Sequence, residues 1–134
     1  MPDPLFGQDW KLDRGKSSLS VASFNPHTET QRYEEVPGGY RLTVTGSTAG
    51  QTYSWNYTAL YDGKPHPVHG RNDVDSITTY RINDKITVGF FTKDGVAGGP
   101  YARFVSDDGR TLTVWAGGKN ANGEPYFDVL HYDL

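Results

Sequence analysis

The chain of 134 residues contains no cysteine, which excludes disulfide bonds, zinc–thiolate sites and thiol nucleophiles. No stretch approaches the roughly 20 consecutive apolar residues of a membrane-spanning helix. The opening sequence MPDPLFGQDWKLD also lacks the basic start and apolar run of a secretory signal. We therefore expect no membrane partner, and the initiator-like Met1 suggests a cytoplasmic protein.

The chain has no excess of positive charge, since 13 basic residues are mixed with 16 acidic ones for a net charge of −3. Nucleic-acid binding usually requires a basic patch, so no nucleic-acid partner is expected. There is no G-x-S-x-G motif and no glycine-rich phosphate loop that opens a helix. We accordingly expect neither serine-hydrolase chemistry nor a cofactor.

Alternating β-branched and aromatic residues, separated by tight-turn signals such as PGG, DG and ANG, run through the whole sequence. The clearest run, YSWNYTALY at 53–61, places Tyr53, Trp55, Tyr57, Ala59 and Tyr61 on one face of a strand. The best candidate for a helix, DRGKSSLSVAS, is weakened by its serines. The pattern therefore predicts an all-β protein.

The spacing of these runs predicts a single domain over residues 1–134, a single antiparallel up-and-down β-barrel of about 8–10 strands. Closure of the barrel removes exposed strand edges, and about eight strands leave room for one small ligand. A sandwich of two sheets is the alternative fold.

Several segments resemble small bacterial lipocalin-like proteins, which are calycin-type barrels. The likeness spans most of the chain and rests on FGQDWKLDRGKS, YEEVPGGYRLTV, YTALYDGKPHPV, VSDDGRTLTV and GKNANGEPYFDVLHYD. The resemblance implies a barrel with a central pocket for a small, mostly apolar molecule. It implies no catalytic residues, because barrels of this type include both pure binders and cofactor-free enzymes.

The segment KPHPVHGRND carries two of the four histidines. Pro65 and Pro67 stiffen the backbone around His66, and histidine exchanges protons near neutral pH. His66 and His69 are therefore candidate catalytic residues, although both could equally be solvated side chains of a rim loop. In an extended segment the two point to opposite faces. A metal site formed with Asp73, Asp75 or His131 is a third reading, without a known spacing signature.

The aromatic face of 53–61 is the strongest constellation of candidate binding residues. Its tyrosine hydroxyls need partners if they are buried, and a ligand cavity would supply them, although plain core packing is the alternative. Tyr57 is a candidate catalytic residue, because a phenol hydroxyl can polarise a carbonyl. The predicted substrate-binding residues are Tyr53, Trp55, Tyr61, Tyr33, Tyr40, Arg103 and Phe90.

Charged residues within the strands provide further candidates. An inward-facing Arg81 or Arg103 could pair with a substrate carboxylate. Glu35 and Asp128 are the acids that strand parity allows inside the barrel.

Taken together, the sequence predicts a cofactor-independent acid–base enzyme of the lyase, isomerase or cyclase type. Its partner would be a small hydrophobic, aromatic or polyketide-like molecule, and the protein would be a monomer or a homodimer. A non-catalytic carrier of the same kind of molecule is the alternative function. Loss of a general acid or base would cost about 10²–10⁴-fold in rate in the enzyme and little in the carrier.

Overall fold

The computed structural model describes residues 4–120 and 122–134, which form one closed antiparallel β-barrel. Met1, on which the cytoplasmic location was predicted, lies outside the described residues. The strands are β1 (Asp9–Leu12), β2 (Thr28–Val36), β3 (Gly39–Ser47), β4 (Thr52–Leu60), β5 (His66–His69), β6 (Ser76–Arg81), β7 (Ile86–Lys93), β8 (Val96–Val105), β9 (Thr111–Lys119) and β10 (Pro125–Asp133).

Each strand from β2 to β10 pairs with its neighbour in the chain, and β1 closes the barrel between β10 and β2. The closing seam pairs Lys11 with Asp133 on one side and Trp10 with Gln31 on the other. This arrangement confirms the predicted all-β, up-and-down barrel rather than the two-sheet sandwich. Within the described ranges, the weak helix candidate DRGKSSLSVAS contains only a single 3₁₀ turn at Arg14–Lys16.

Side chains alternate between the interior and the surface along the strands, as the pleat of a β-strand requires. On β4, Tyr57 and Ala59 are buried whereas Thr58 and Leu60 are exposed. The same alternation places Leu42 of β3, which pairs with Tyr57, inside the barrel. The aromatic face of β4 therefore lies inside the barrel.

One end of the barrel is filled by a hydrophobic core. Trp10 is fully buried there, and its indole Nε1 donates a hydrogen bond to the carbonyl oxygen of Leu5 at 3.0 Å. Tyr40 and Leu112 are also fully buried. The cavity described below therefore opens at the opposite end, where the long β1–β2 and β5–β6 loops lie.

Among residues 4–120 and 122–134, the structure contains no helix of the length and apolarity needed to cross a membrane.

Candidate functional site

A cavity of about 1250 Å³ occupies the interior of the barrel. Its walls are formed by inward-facing side chains of the strands, and its mouth by residues 22–26 and 70–73 together with the start of the β9–β10 loop. Tyr53, Trp55 and Tyr57 of β4 all line it. The cavity thus takes its aromatic wall from the strand whose pattern was clearest in the sequence.

Aromatic rings form the middle of the cavity wall. The ring of Trp55 stacks on that of Tyr57 with centroids 6.1 Å apart, and it meets the edge of Phe91 at 6.2 Å. Phe91 in turn lies 5.8 Å from the ring of Tyr101 on β8. Such a wall can stack on a planar, largely apolar molecule.

Deeper in the cavity lies Arg103 of β8, whose residue surface is only 4% exposed. Its guanidinium carbon lies 4.6 Å from the ring centroid of Tyr33 and 5.1 Å from those of Tyr40 and Tyr101. Its Nη2 donates to the hydroxyl of Tyr57 at 3.2 Å, whereas Nε and Nη1 are buried without a hydrogen-bond partner. Arg103 therefore presents unused donors inside the barrel.

A cluster of hydroxyl groups surrounds this guanidinium. The Tyr40 hydroxyl lies 2.6 Å from that of Tyr57 and 3.3 Å from that of Thr79, and Thr79 lies 2.7 Å from the Tyr101 hydroxyl. Burial raises the pKa of Tyr57 and of Tyr101. Burial also acts to raise the pKa of Tyr40, but the charge of Arg103 and the surrounding hydroxyls outweigh it and lower that pKa. Tyr40 is therefore the most acidic phenol of the cluster.

Arg103 itself remains a cation. Burial acts to lower the pKa of its guanidinium, but the interactions with the neighbouring tyrosines outweigh burial and hold that pKa well above its ordinary value. An arginine side chain is in any case protonated throughout the physiological pH range.

A second polar cluster centres on Glu29 of β2, higher on the wall. The Glu29 carboxylate accepts hydrogen bonds from the Tyr53 hydroxyl at 2.8 Å, from Nε2 of Gln31 at 2.9 Å and from the hydroxyl of Tyr132. Burial, followed by the charge of Glu29, raises the pKa values of Tyr53 and Tyr132. These two phenols therefore keep their protons and act as donors to the carboxylate.

Arg71 lies at the mouth of the cavity, between two aromatic rings. Its guanidinium carbon is 4.7 Å from the ring centroid of Trp55 and 4.8 Å from that of Phe91. Two of its nitrogens donate to the carboxylate of Asp73, at 2.9 and 2.6 Å. The ion pair thus holds a cation between these two rings at the mouth of the cavity.

Asp128 of β10 is buried in the cavity wall and anchors the β1–β2 loop. Its carboxylate accepts hydrogen bonds from the backbone N–H of Ser20 at 2.9 Å and from the hydroxyl of Ser23 at 2.7 Å. The parity prediction that this acid faces inward is correct, but its oxygens are used to hold the loop. Glu35, the other predicted inward acid, is exposed.

The two histidines of β5 lie outside the main cavity. Nε2 of His66, near the filled end of the barrel, lies 3.0 Å from the carboxylate of Asp62, and His69 is exposed on the outer face. They point to opposite faces, as expected of an extended segment. Their catalytic role remains a prediction, and neither histidine lines the cavity.

The other predicted site residues lie in different parts of the barrel. Tyr33 and Arg103 line the cavity as expected, whereas Tyr40 lies behind its wall and Tyr61 stacks on Tyr40 at 5.8 Å. The placement of Phe90 inside the barrel is wrong, because the inward positions of β7 are Thr87, Gly89 and Phe91. Phe90 instead lines a small outer pocket with Thr78 and Thr92, and Arg81 is exposed.

Several residues of the site were not predicted from the sequence, among them Tyr101, Thr79 and Tyr132 of the hydroxyl clusters, and the available signal differed between the others. Glu29 and Gln31 share strand parity with Tyr33, so extension of that pattern would have found them. Arg71 lies in a loop, and nothing in the sequence indicates that it inserts between rings. Phe91 lies on the same face of β7 as Thr87 and Gly89, so alternation would have found it once that face was recognised as the inner one.

Metal binding was the third reading of the histidines. In the part of the chain that the structure describes, no group of three or more His, Cys, Asp or Glu side chains is placed to hold a metal ion.

Comparison of the chain with models of protein families, with curated proteins and with solved structures finds no match in any of the three. The function is therefore argued from the cavity and the side chains that line it.

Proposed function

We propose that this barrel, as a lipocalin-like protein, binds a small, largely apolar molecule with a planar or aromatic part. The observation that carries the proposal is the wall of Trp55, Tyr57 and Phe91 around a cavity of about 1250 Å³. Ligand pockets are typically concave and apolar with a few placed polar groups, and they measure about 300–1,000 Å³. The volume of this cavity lies above that range, so it can hold a drug-sized molecule.

The test uses a neutral fluorescent probe, N-phenylnaphthylamine, titrated into the purified protein. We expect a saturable rise in fluorescence with one probe bound per chain. Substitution Ala116→Trp places an indole in the cavity, where Ala116 lies, and should abolish binding. The control is Trp115→Ala on the same strand, because Trp115 faces solvent with 45% of its surface exposed. Equal binding by both variants would place the probe on the surface and overturn the proposal.

The second candidate function is acid–base conversion of the bound molecule without a cofactor, as the sequence suggests. It is favoured by the hydroxyl cluster at Arg103, where Tyr57 both lines the cavity and lies 2.6 Å from the most acidic phenol, Tyr40. Arg103 would stabilise negative charge that develops on a substrate oxygen. Tyr57 would donate or accept the proton, with Tyr40 as its partner.

Conversion and binding are separated by the substitution Tyr57→Phe. The wild-type protein and this variant are incubated with metabolite extracts, and free and bound small molecules are followed by mass spectrometry. An enzyme consumes one compound catalytically and loses about 10²–10⁴-fold in rate with Tyr57→Phe. A carrier retains a compound at one per chain, unchanged over time, in both proteins. The same extract should also be tested with His66→Ala and His69→Ala, which decides whether either histidine has a role.

A further inference from the structure

The edge of the Arg103 guanidinium carries buried N–H donors that lack hydrogen-bond partners. Nε and Nη1 are buried without an acceptor, and they are the only buried side-chain nitrogen or oxygen atoms in this condition among residues 4–120 and 122–134. Buried polar groups in folded proteins nearly always have hydrogen-bond partners, so each exception calls for a reason. No described residue accepts a hydrogen bond from these two atoms, so the oxygen of a ligand can take that place.

The same guanidinium also lacks a counter-charge. The ion pairs found in the described part of the chain link other residues, such as Arg71 with Asp73 and Arg32 with Asp9, and none includes Arg103. The rings of Tyr33, Tyr40 and Tyr101 cover its faces, which attenuates the charge but does not neutralise it. A buried, unpaired cation is costly, and an anion at this position would remove that cost.

The position of Arg103 in the cavity determines how an anion would bind. Because rings cover the faces of the guanidinium, a ligand group has to meet its edge, where the N–H donors point. Arg103 lines the cavity together with Tyr57 and Tyr101, whose hydroxyls can add hydrogen bonds to the same group. The apolar part of the molecule would then extend toward Trp55 and Phe91 at the mouth.

We infer that the ligand of this cavity is an organic acid whose anionic oxygens bind the Arg103 edge, with its apolar body against the aromatic wall of the cavity. The shared chemistry is an acidic oxygen group on an aromatic or apolar body, which includes carboxylates, enolates and sulfonates. This inference rests on the proposed binding function, and it adds the charge and the orientation of the ligand.

The test compares two probes of the same skeleton, neutral N-phenylnaphthylamine and the anion anilinonaphthalene sulfonate. The wild-type protein should bind the anion more tightly by about tenfold to a hundredfold, the range of a charge-assisted hydrogen bond. Arg103→Met should erase this preference while the neutral probe still binds. Arg103→Lys, which keeps the charge but loses the planar edge, should retain part of it. Trp115→Ala, on the outer face, is the control and should leave both affinities unchanged.

The outcomes separate the two proposals. If neither probe binds inside the barrel, the binding function itself fails. If both probes bind with equal affinity, and Arg103→Met changes neither, the cavity binds small molecules but the anion inference is overturned.

An internal counter-charge is the rival explanation, since Tyr40 could supply a phenolate. The tyrosinate absorbance band of the folded protein decides between them. Absence of this band at neutral pH supports an external anion. A band that is present at neutral pH and lost with Tyr40→Phe means that Tyr40 balances Arg103, and the inference is overturned. Circular dichroism of each variant confirms that the barrel is folded in every titration.

Discussion

Among single residues, Glu29 links three strands of the cavity wall. Its carboxylate accepts hydrogen bonds from side chains of β2, β4 and β10. Substitution Glu29→Gln keeps the shape but removes the charge and one acceptor, so at least one phenol loses its bond. We expect a loss of about 1.5–3 kcal/mol in the free energy of unfolding, typical of hydrogen bonds to a charged group. Urea denaturation measures it, and the exposed Glu34→Gln on the same strand is the control. Equal stability of the two variants would contradict a structural role for the carboxylate.

Arg71 occupies the slot between Trp55 and Phe91, so it should slow the arrival of a planar ligand. Arg71→Ala removes the guanidinium and should raise the association rate of N-phenylnaphthylamine several-fold. Stopped-flow fluorescence measures this rate. The matched control is Arg32→Ala, which removes a surface guanidinium that is paired with Asp9 and does not line the cavity. A rate that is unchanged or lower in Arg71→Ala would show that the cation does not hinder binding.

The Arg71–Asp73 pair should also respond to pH. Burial acts to raise the pKa of Asp73, but the hydrogen bonds and charge of Arg71 outweigh it and lower that pKa. The pair is therefore complete above the unfolded pKa of about 3.9 and is lost as the pH falls through the lower folded pKa. We expect the association rate of the neutral probe to rise on acidification only below about pH 4. Asp73→Asn should remove this dependence, and a rise centred near pH 6 would instead implicate a histidine.

At the scale of strands, β7 depends on a glycine that lies under an aromatic ring. Gly89 pairs directly with Tyr101 of β8. A Cβ at this position would overlap the backbone carbonyl oxygen of Thr78 and lie 2.9 Å from the Tyr101 hydroxyl. The absence of a side chain at position 89 thus permits both the β6–β7 pairing and the position of the Tyr101 ring.

Gly89→Ala should therefore displace Tyr101 and destabilise the barrel, and the neutral probe should bind more weakly. We expect about 1–3 kcal/mol of lost stability, which is typical of an overpacked interior. Thermal unfolding and probe titration measure the two effects. Gly98→Ala in β8 is the control, because a Cβ there has no atom within 4 Å. If the two variants behaved alike, the close approach at Gly89 would be tolerated by relaxation.

The two strands β4 and β7 show how far a strand pattern predicts the faces of a sheet. On β4 the inward residues are large and aromatic, so alternation identified the cavity wall correctly. On β7 the outward residues Ile86, Val88 and Phe90 are more hydrophobic than the inward Thr87 and Gly89. Hydrophobicity therefore indicated the wrong face of β7, and Phe91 was missed because it shares the face of Thr87 and Gly89.

For the whole molecule, strand periodicity and frequent turns were sufficient to predict a closed barrel, because closure is the economical way to pair every edge. The mouth of the cavity could not be predicted from strand periodicity. Arg71, Asp73 and the β1–β2 loop come together only through the tertiary arrangement, and no period links them in the sequence. The proline-braced histidines indicated acid–base chemistry, but neither of them lines the cavity, whereas several tyrosines do.

The seam between β1 and β10 has a consequence for the order in which the chain folds. The pairings from β2 to β10 are hairpins between neighbours in sequence, whereas Lys11 and Asp133 pair from opposite ends of the chain. Joining such distant segments carries a large loop-closure entropy and slows a folding step. We expect Trp55 to reach its native environment before Trp10 does in refolding experiments followed with single-tryptophan variants. The nascent barrel would then have an open side and an unpaired edge on β10 until β1 docks, which makes this interval the time at which two copies can exchange strands.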